Sequence, residues 1–464
     1  VIDNDGKMYV YSDIEINPVW YMGYEITYDA NGDGGVPMVF AESTYAVNAE
    51  VTAAIEALLE DLTPYRNALK EVIEGCTSIP FGSGLNQYTS DDTYTATLAA
   101  ANTAYEDESA TKTDLQTAKT NLETAISGLT LNLPTAGFYR IKGKTSSMYL
   151  AAGLASNSKF NMSDATDGST IFYFDGTMLV NYGSGMANGM TKDAWEWVTD
   201  DAASTVAFID GLSLGGYAIQ SDTAYFYDNG DNSQSADRGA NLTIEGANAR
   251  YVSWYLEEVT ELPVTFDYSV DGKYYTTLCL PYAAEVTSAT AFTLDRGNGN
   301  ILDKSEGSAT IAAGTPVLLE SESNSATVAL SGEKADPQSE TALTGTYAAT
   351  TIDAATDYVL GTDGTKAGFF HSEENVVKGF SAFLAGDENT GSIEAFYFDP
   401  IDLAGDVNGD GSVTIADVTA LVNIILGKDT EGQYNHAAAD VNNDESITIA
   451  DVTALVNIIL GKTN

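Results

Sequence analysis

Cysteine and histidine are nearly missing from these 464 residues, which hold two of each. Cys76 and Cys279 stand about 200 residues apart in stretches of different pattern, which argues for two buried thiols and against an intrachain disulfide. His371 and His436 also fall in different stretches, so a histidine-based catalytic triad or a multi-histidine zinc site has nothing to be built from. Basic residues are scarce as well, 20 against 67 acidic ones. The resulting net charge of −47 argues against electrostatic capture of nucleic acid or anionic lipid, and favours cation binding. No run approaches the roughly 18–20 apolar residues of a membrane span. The longest apolar stretch, Ala420 to Leu426, is broken by Asn423. No signal peptide is read, and Val1 as the first residue implies a processed or truncated chain.

What is present is a long chain that is 44% hydrophobic and holds 27 tyrosines. At about 100–200 residues per domain it reads as three to five folded modules. Residues 8–28 are rich in Tyr, Val and Ile and look like the closing strands of a β-sandwich cut at its N-terminal side. Their VWYMGYEITY stretch resembles galactose-binding-like carbohydrate modules.

From about residue 46 the period becomes helical. Ile55, Leu58, Leu59 and Leu62 share a face, and Thr63-Pro64 supplies an N-cap and a first-turn proline for a helix carrying Leu69, Val72 and Ile73, with Gly75 after it. A second helix follows Asp91 and Asp92 with Tyr94, Leu98, Ala101 and Tyr105 on one side. A third places Leu115, Ala118, Leu122, Ile126 and Leu129 on one stripe. The stretch TYTATLAAANTAYEDESATKTDLQTAKTNLETAISGL resembles the FIVAR modules of secreted bacterial glycan-active and cell-wall proteins, and the resemblance implies a spacer bundle.

Between 137 and about 259, YRIKG, FYFDG and AFIDG end at Gly143, Gly176 and Gly211, spaced 33 and 35 residues apart. Three units of about 40 residues, each too small to bury its own core, predict pseudo-threefold stacking. With GFYRIKGKTSSMYLAAG at its start and SWYLEEV at its end, the segment resembles ricin-type β-trefoil lectins, although it lacks their Gln-any-Trp signature. Trp254 and the strand tyrosines read as core. Trp195 and Trp197 share one strand face and are the exposed aromatic platform expected for a sugar ring. Residues 267–398 alternate in strand fashion between Gly-, Asp- and Ser-rich turns, as an all-β sandwich does.

The C-terminus is duplicated. DVNGDGSVTIAD at 406–417 recurs 34 positions later as DVNNDESITIAD, and each copy runs into VTALVNIILGK. A hard divalent cation is well served by a twelve-residue loop offering oxygens at positions one, three, five, seven and twelve. Asp406, Asn408, Asp410, Ser412 and Asp417 fill these in the first copy; Asp440, Asn442, Asp444, Ser446 and Asp451 fill them in the second. Two Ca2+ sites are therefore expected. Gly411 occupies the sharpest bend of the first loop, where the second has Glu445, and Val413 and Ile447 at position eight should face each other or the core. The DANGDGG stretch at 29–35 begins the same way but has Phe40 at its twelfth position, which cannot ligate.

An EF-hand would need an entering helix, which Pro400 and Gly405 oppose, and commonly closes on Glu where both copies here have Asp. The pattern over 406–462 closely resembles type I dockerins. That resemblance implies calcium-dependent attachment to a cohesin-like scaffold module, with positions ten and eleven of each loop, Ile415-Ala416 and Ile449-Ala450, in contact with the partner and two equivalent faces open to a dual binding mode. Burial against the paired loop is the alternative for the two isoleucines.

The expected architecture is thus multidomain and mainly β: terminal strands of a truncated β-sandwich (1–45), a three-helix bundle (46–130), a β-trefoil-like module (131–260), a β-sandwich (261–400) and a two-loop–helix calcium module (401–464). As a function this implies the non-catalytic C-terminal region of a secreted or cell-surface carbohydrate-active protein, with no catalytic residues assigned. The alternatives are a glycoside hydrolase hidden in the β-modules, since paired carboxylates can do that chemistry, and a surface adhesin whose calcium module closes on itself.

Overall fold

The computed structural model describes residues 61–464 apart from 156–158, 191–194, 212–214, 222–223, 229–234, 240–251, 298–299, 339–340, 373, 387–392, 399–403, 409–412, 429–433, 445 and 463–464. The expected strands of 1–45, the DANGDGG stretch with Phe40, and Ile55, Leu58 and Leu59 lie outside the described residues. The chain divides into two compact units: residues up to Phe81 with Thr89–Thr130, and Gly82–Tyr88 with Leu131 onward. Among the described residues the protein is mainly β, with several antiparallel sheets and a few short helices.

In the first unit, α1 (Thr63–Cys76), α2 (Asp92–Glu106) and α3 (Lys112–Ser127) pack on one another. Leu69, Tyr94, Ala101, Leu115 and Leu122 are the buried residues between them, taken from the faces expected from the 3.6-residue period. The helix starts are written in short polar side chains. Asp91 accepts the Tyr94 N–H at 2.7 Å, and Thr111 with Asp114 forms a capping box. At α1 the cap differs from expectation, because Leu62 is the capping residue and the Asp61 carboxylate accepts the Thr63 N–H at 3.0 Å. Gly75 lies inside the last turn of α1, which ends at Cys76.

The second unit opens with twelve strands in one sheet: β1 (Gly137–Gly143), β2 (Tyr149–Ala155), β3 (Lys159–Ser163), β4 (Ile171–Phe174), β5 (Leu179–Asn181), β6 (Ala187–Met190), β7 (Trp195–Val198), β8 (Val206–Asp210), β9 (Tyr217–Ser221), β10 (Ala224–Asp228), β11 (Ser235–Gly239) and β12 (Trp254–Glu258). β1 pairs with both β4 and β12, β4 with β5, β8 with β9, and β9 with β12. The pairs β2–β3, β6–β7 and β10–β11 are hairpins.

The glycine repeat falls on strands with different neighbours. FYFDG and AFIDG run over β4 and β8 and YRIKG over β1, and each is followed by a strand that pairs back on it, but of the three only β1 also pairs with β12. The Gly143 turn matches the Asn181 turn: Gly143 N–H donates to Met148 O at 2.9 Å and Asn181 N–H to Met186 O at 3.0 Å. Within this unit Asn86, at a positive φ of 59°, pairs its side-chain amide with both backbone groups of Leu256, at 2.8 and 2.9 Å.

Among the described residues, 261–398 form two four-stranded antiparallel sheets, a five-stranded one and two two-stranded ribbons. The strand Ser325–Ser331 alternates buried and exposed residues, as expected where one face meets water, while Ser381–Leu384 is buried on both faces. Tyr275 and Leu318 join Leu343, Tyr358, Phe369 and Phe396 in one buried cluster.

Candidate metal centre

The C-terminal segment carries α4 (Ile415–Ile425), the one-turn α5 (His436–Ala439) and α6 (Ile449–Ile459). α4 and α6 have identical sequences and near-identical ends. Thr414 and Thr448, in extended conformation, cap them, and Asp417 and Asp451 complete a capping box in each. At their C-termini Gly427 and Gly461 take positive φ of 64° and 62°, and their N–H groups reach Ile424 O and Ile458 O at 2.9 Å. Only a residue without Cβ adopts that conformation cheaply, so each helix stops at its glycine. Val407, Ala420, Leu421, Ala439 and Leu455 form the core between the copies, with the position-eight residues Val413 and Ile447 packed against it.

Each closing aspartate has two tasks. One carboxylate oxygen accepts the N–H of the capping threonine, at 2.8 Å in both copies. The other accepts the N–H of loop position three, Asn408 at 3.0 Å and Asn442 at 3.2 Å, tying the start of the loop to the helix. Asp417 and Asp451 are fully buried and Asp406 is 1% exposed. Burial on its own would raise the Asp451 carboxyl, but the backbone N–H groups of Thr448, Asn442, Asp451 and Val441 outweigh it and hold the pKa below the usual value. The group stays ionised, as a metal ligand must.

In the second loop the Asp444 N–H donates to Asp440 Oδ1 at 3.0 Å and to Asn442 Oδ1 at 2.9 Å, and the Ser446 N–H donates to Asp444 Oδ1 at 3.0 Å. Asn443 carries the bend with φ of 57°, a conformation asparagine tolerates. Asp440, Asp444 and Asp451 each offer a carboxylate oxygen, and the three lie within 4.8 Å of one another. Two oxygens on opposite sides of a calcium ion, at about 2.3–2.6 Å each, are separated by about 5 Å, so these donors fit one hard cation. Among the described residues this is the one such convergence of acidic groups. In the first loop Asp406, Asn408 and Asp417 are placed, while Asp410, Gly411 and Ser412 lie outside the described residues, as does Glu445 of the second.

The residues at positions ten and eleven of each loop are open. Ile415 and Ile449 are each 71% exposed, which removes the alternative of burial against the paired loop, and Ala416 and Ala450 are exposed beside them. The face extends further than the two loop positions. Eleven residues make three helical turns, so Leu426 and Leu460, 59% and 60% exposed, lie on the same side of their helices as the isoleucines, with half-buried Val422 and Val456 between. The i, i+7, i+11 spacing in the shared tail was the available signal for these four.

The aromatic expectations divide. Trp254 and Tyr217 are fully buried, and the indole of Trp254 donates to Phe226 O at 3.0 Å. Trp197 is half-buried and not an open platform: it stacks on Phe160 with centroids 4.5 Å apart and donates to Gly153 O at 3.0 Å. An aromatic ring beside another aromatic gains more by stacking than by facing water. Trp195 belongs to β7, but its side chain lies outside the described residues. The ring of His371 lies tilted against that of Tyr358, centroids 4.1 Å apart, as a packing residue does.

No curated protein matches this chain. Residues 404–460, however, match the family model of the dockerin type I domain, so the C-terminal loop–helix pair is similar to a type I dockerin.

Proposed function

We propose that this chain is a non-catalytic part of a secreted carbohydrate-active protein, attached through its dockerin module to a cohesin-like partner in a calcium-dependent way. The observation that supports the reading is that one aspartate in each copy ties the candidate ion loop to the start of a helix bearing an exposed apolar stripe. Calcium would be held by Asp440, Asn442, Asp444, Ser446 and Asp451 in one loop and by Asp406, Asn408, Asp410, Ser412 and Asp417 in the other, two sites in all. Bound, it supplies positive charge against three carboxylates per loop that otherwise repel one another. The duplicate helices then offer Ile415-Ala416 and Ile449-Ala450 from two equivalent faces, which supports a dual binding mode.

The remaining modules fit a carrier for this attachment. The pairings β1–β4–β5 and β8–β9–β12–β1 with three hairpins support a β-trefoil-like module for 131–260, the antiparallel sheets of 261–400 support a sandwich-like one, and the mutual packing of α1 to α3 supports a FIVAR-like helical spacer. We assign any glycan contact to the β7 edge, with Trp195 as its aromatic.

Capture by cohesin-bearing scaffold modules tests the docking. Retention of the full chain in calcium and release by chelator are expected. No retention in calcium would favour an adhesin with an intramolecularly closed module, and hydrolysis across a glycan panel, lost on single carboxylate substitution, would establish a hidden hydrolase.

A further inference from the structure

The twelve-stranded module and the β-strands that follow it do not keep separate cores. Phe138, Tyr173 and Val180 are buried in the same cluster as Leu262, Leu278 and Phe380. Phe380 is the centre of this contact. Its ring is 3% exposed and lies 5.3 Å from Tyr182, 5.4 Å from Phe138 and 5.8 Å from Tyr173. Its backbone has a φ of 56°, a conformation that a bulky residue adopts only when its surroundings impose it.

The backbones interlock beside it. Gly185 O, in the turn between β5 and β6, accepts the Ala349 N–H at 2.7 Å and the Gly379 N–H at 3.2 Å, and the Asp200 N–H donates to Ala349 O at 2.8 Å. A Cβ on Gly185 would stand 2.3 Å from Gly379 N, and one on Gly379 would stand 2.6 Å from Gly185 O. Two hydroxyls complete the seam: Tyr282 donates to Ala136 O at 2.7 Å and Tyr182 to Pro263 O at 2.9 Å.

We propose that the turn between β5 and β6 is an intramolecular docking surface for residues 347–380, and that residues 137–398 consequently fold and unfold as one cooperative body instead of as two modules on a tether. The matching turn between β1 and β2 is filled differently. There Asp228 Oδ2 accepts the N–H groups of Thr145 and Ser146 at 3.0 and 2.7 Å. The turn between β1 and β2 thus closes on a carboxylate brought in by β10, whereas the turn between β5 and β6 closes on the neighbouring sheets. The inference stands on these contacts and does not depend on the glycan reading.

Tryptophan makes the test direct, because the residues are Trp20, Trp195, Trp197 and Trp254 and none lies in 260–398. In full-length Trp20→Phe protein, the thermal transition followed by tryptophan fluorescence reports the twelve-stranded module alone. Phe380→Ala, made more than 100 positions away in sequence from Trp254, is expected to lower that transition and keep it coincident with the loss of β-sheet circular dichroism. A tryptophan transition that stays in place while sheet signal melts earlier would overturn the proposal. Should the variant not accumulate, hydrogen exchange of the unsubstituted protein decides. The Ala349 and Gly379 amides are expected to exchange as slowly as Ile141 in β1, and fast exchange at both would refute a shared body.

Discussion

Thr448 and Asp451 hold each other across the first turn of α6, the threonine N–H donating to Asp451 Oδ2 at 2.8 Å. Asp451 also stands with Asp440 and Asp444 in the one cluster of converging carboxylates among the described residues. One side chain thus completes the capping box of the helix and closes the candidate ion loop, and Thr414 with Asp417 repeats the capping arrangement. The proposed calcium site and the exposed Ile449 or Ile415 therefore meet at a single residue.

If the two apolar stripes are the partner face, charge placed on them should abolish docking and spare calcium. The double variant Ile415→Asp/Ile449→Asp is expected to lose cohesin binding by at least about 100-fold, since a buried apolar anchor contributes about 2–4 kcal/mol to an interface. Each single variant should keep binding through the other copy. Surface plasmon resonance measures this, and unchanged affinity in the double variant would remove these residues from the interface.

Gly405 enters the first loop at a φ of 96°, and a Cβ there would meet Leu455 Cδ1 at 2.6 Å. Gly405→Ala should lower the stability of the dockerin module by about 1–3 kcal/mol through backbone strain. A calcium-loaded melt of full-length protein, followed through an amide of α6, checks it. No shift would mean the chain enters the loop by another path.

Asp228 is fully buried, with Thr145, Ser146 and the Ser146 hydroxyl donating to it at 3.0, 2.7 and 2.9 Å. Asp228→Ala strands two inward-facing backbone N–H groups, at about 1–3 kcal/mol each. The tryptophan-monitored transition should fall by several degrees, and less for Asp228→Asn, which keeps an acceptor.

At the Asp363 turn, the Thr365 hydroxyl donates to the carboxylate at 2.7 Å, with the Thr365 and Lys366 N–H groups and the Tyr397 hydroxyl beside it. The Thr365 hydroxyl is the largest influence. Burial opposes it, the Thr365 and Lys366 N–H groups and the Tyr397 hydroxyl add to it, and the pKa is lowered to about 2. A carboxylate depressed in the folded state adds stability that is complete above its unfolded pKa of about 3.9 and is lost as pH falls through the folded value. Local protection of this turn should thus be flat above about pH 4 and decline toward pH 2. A carboxyl NMR titration of Asp363 reads the value directly, and Thr365→Ala should move it upward.

Much of the C-terminal site was legible because its chemistry is local. Spacing within twelve residues points to the candidate ligands, of which the fold brings Asp440, Asp444 and Asp451 together, and Thr-any-any-Asp is the local signal for the caps Thr414 and Thr448. The helical faces of α2 and α3 were readable for the same reason, since their buried positions follow one period. The sheet was harder. Gly143 and Gly176 look alike in sequence, yet only pairing across distant strands reveals that one closes a first strand and the other a fourth. Trp197 was misjudged because exposure depends on Phe160, which no local pattern connects to it. The seam at Phe380 is equally non-local: nothing around Lys378-Gly379-Phe380 signals that three rings from another sheet await it.

Calcium titration of the chelator-treated full-length protein by isothermal calorimetry tests the central claim most directly. Two ions per chain are expected, falling to one in Asp440→Ala or Asp406→Ala and to none when both are combined, with cohesin binding lost alongside. Absence of calcium binding, or binding that survives the double substitution, would contradict a calcium-clamped docking module.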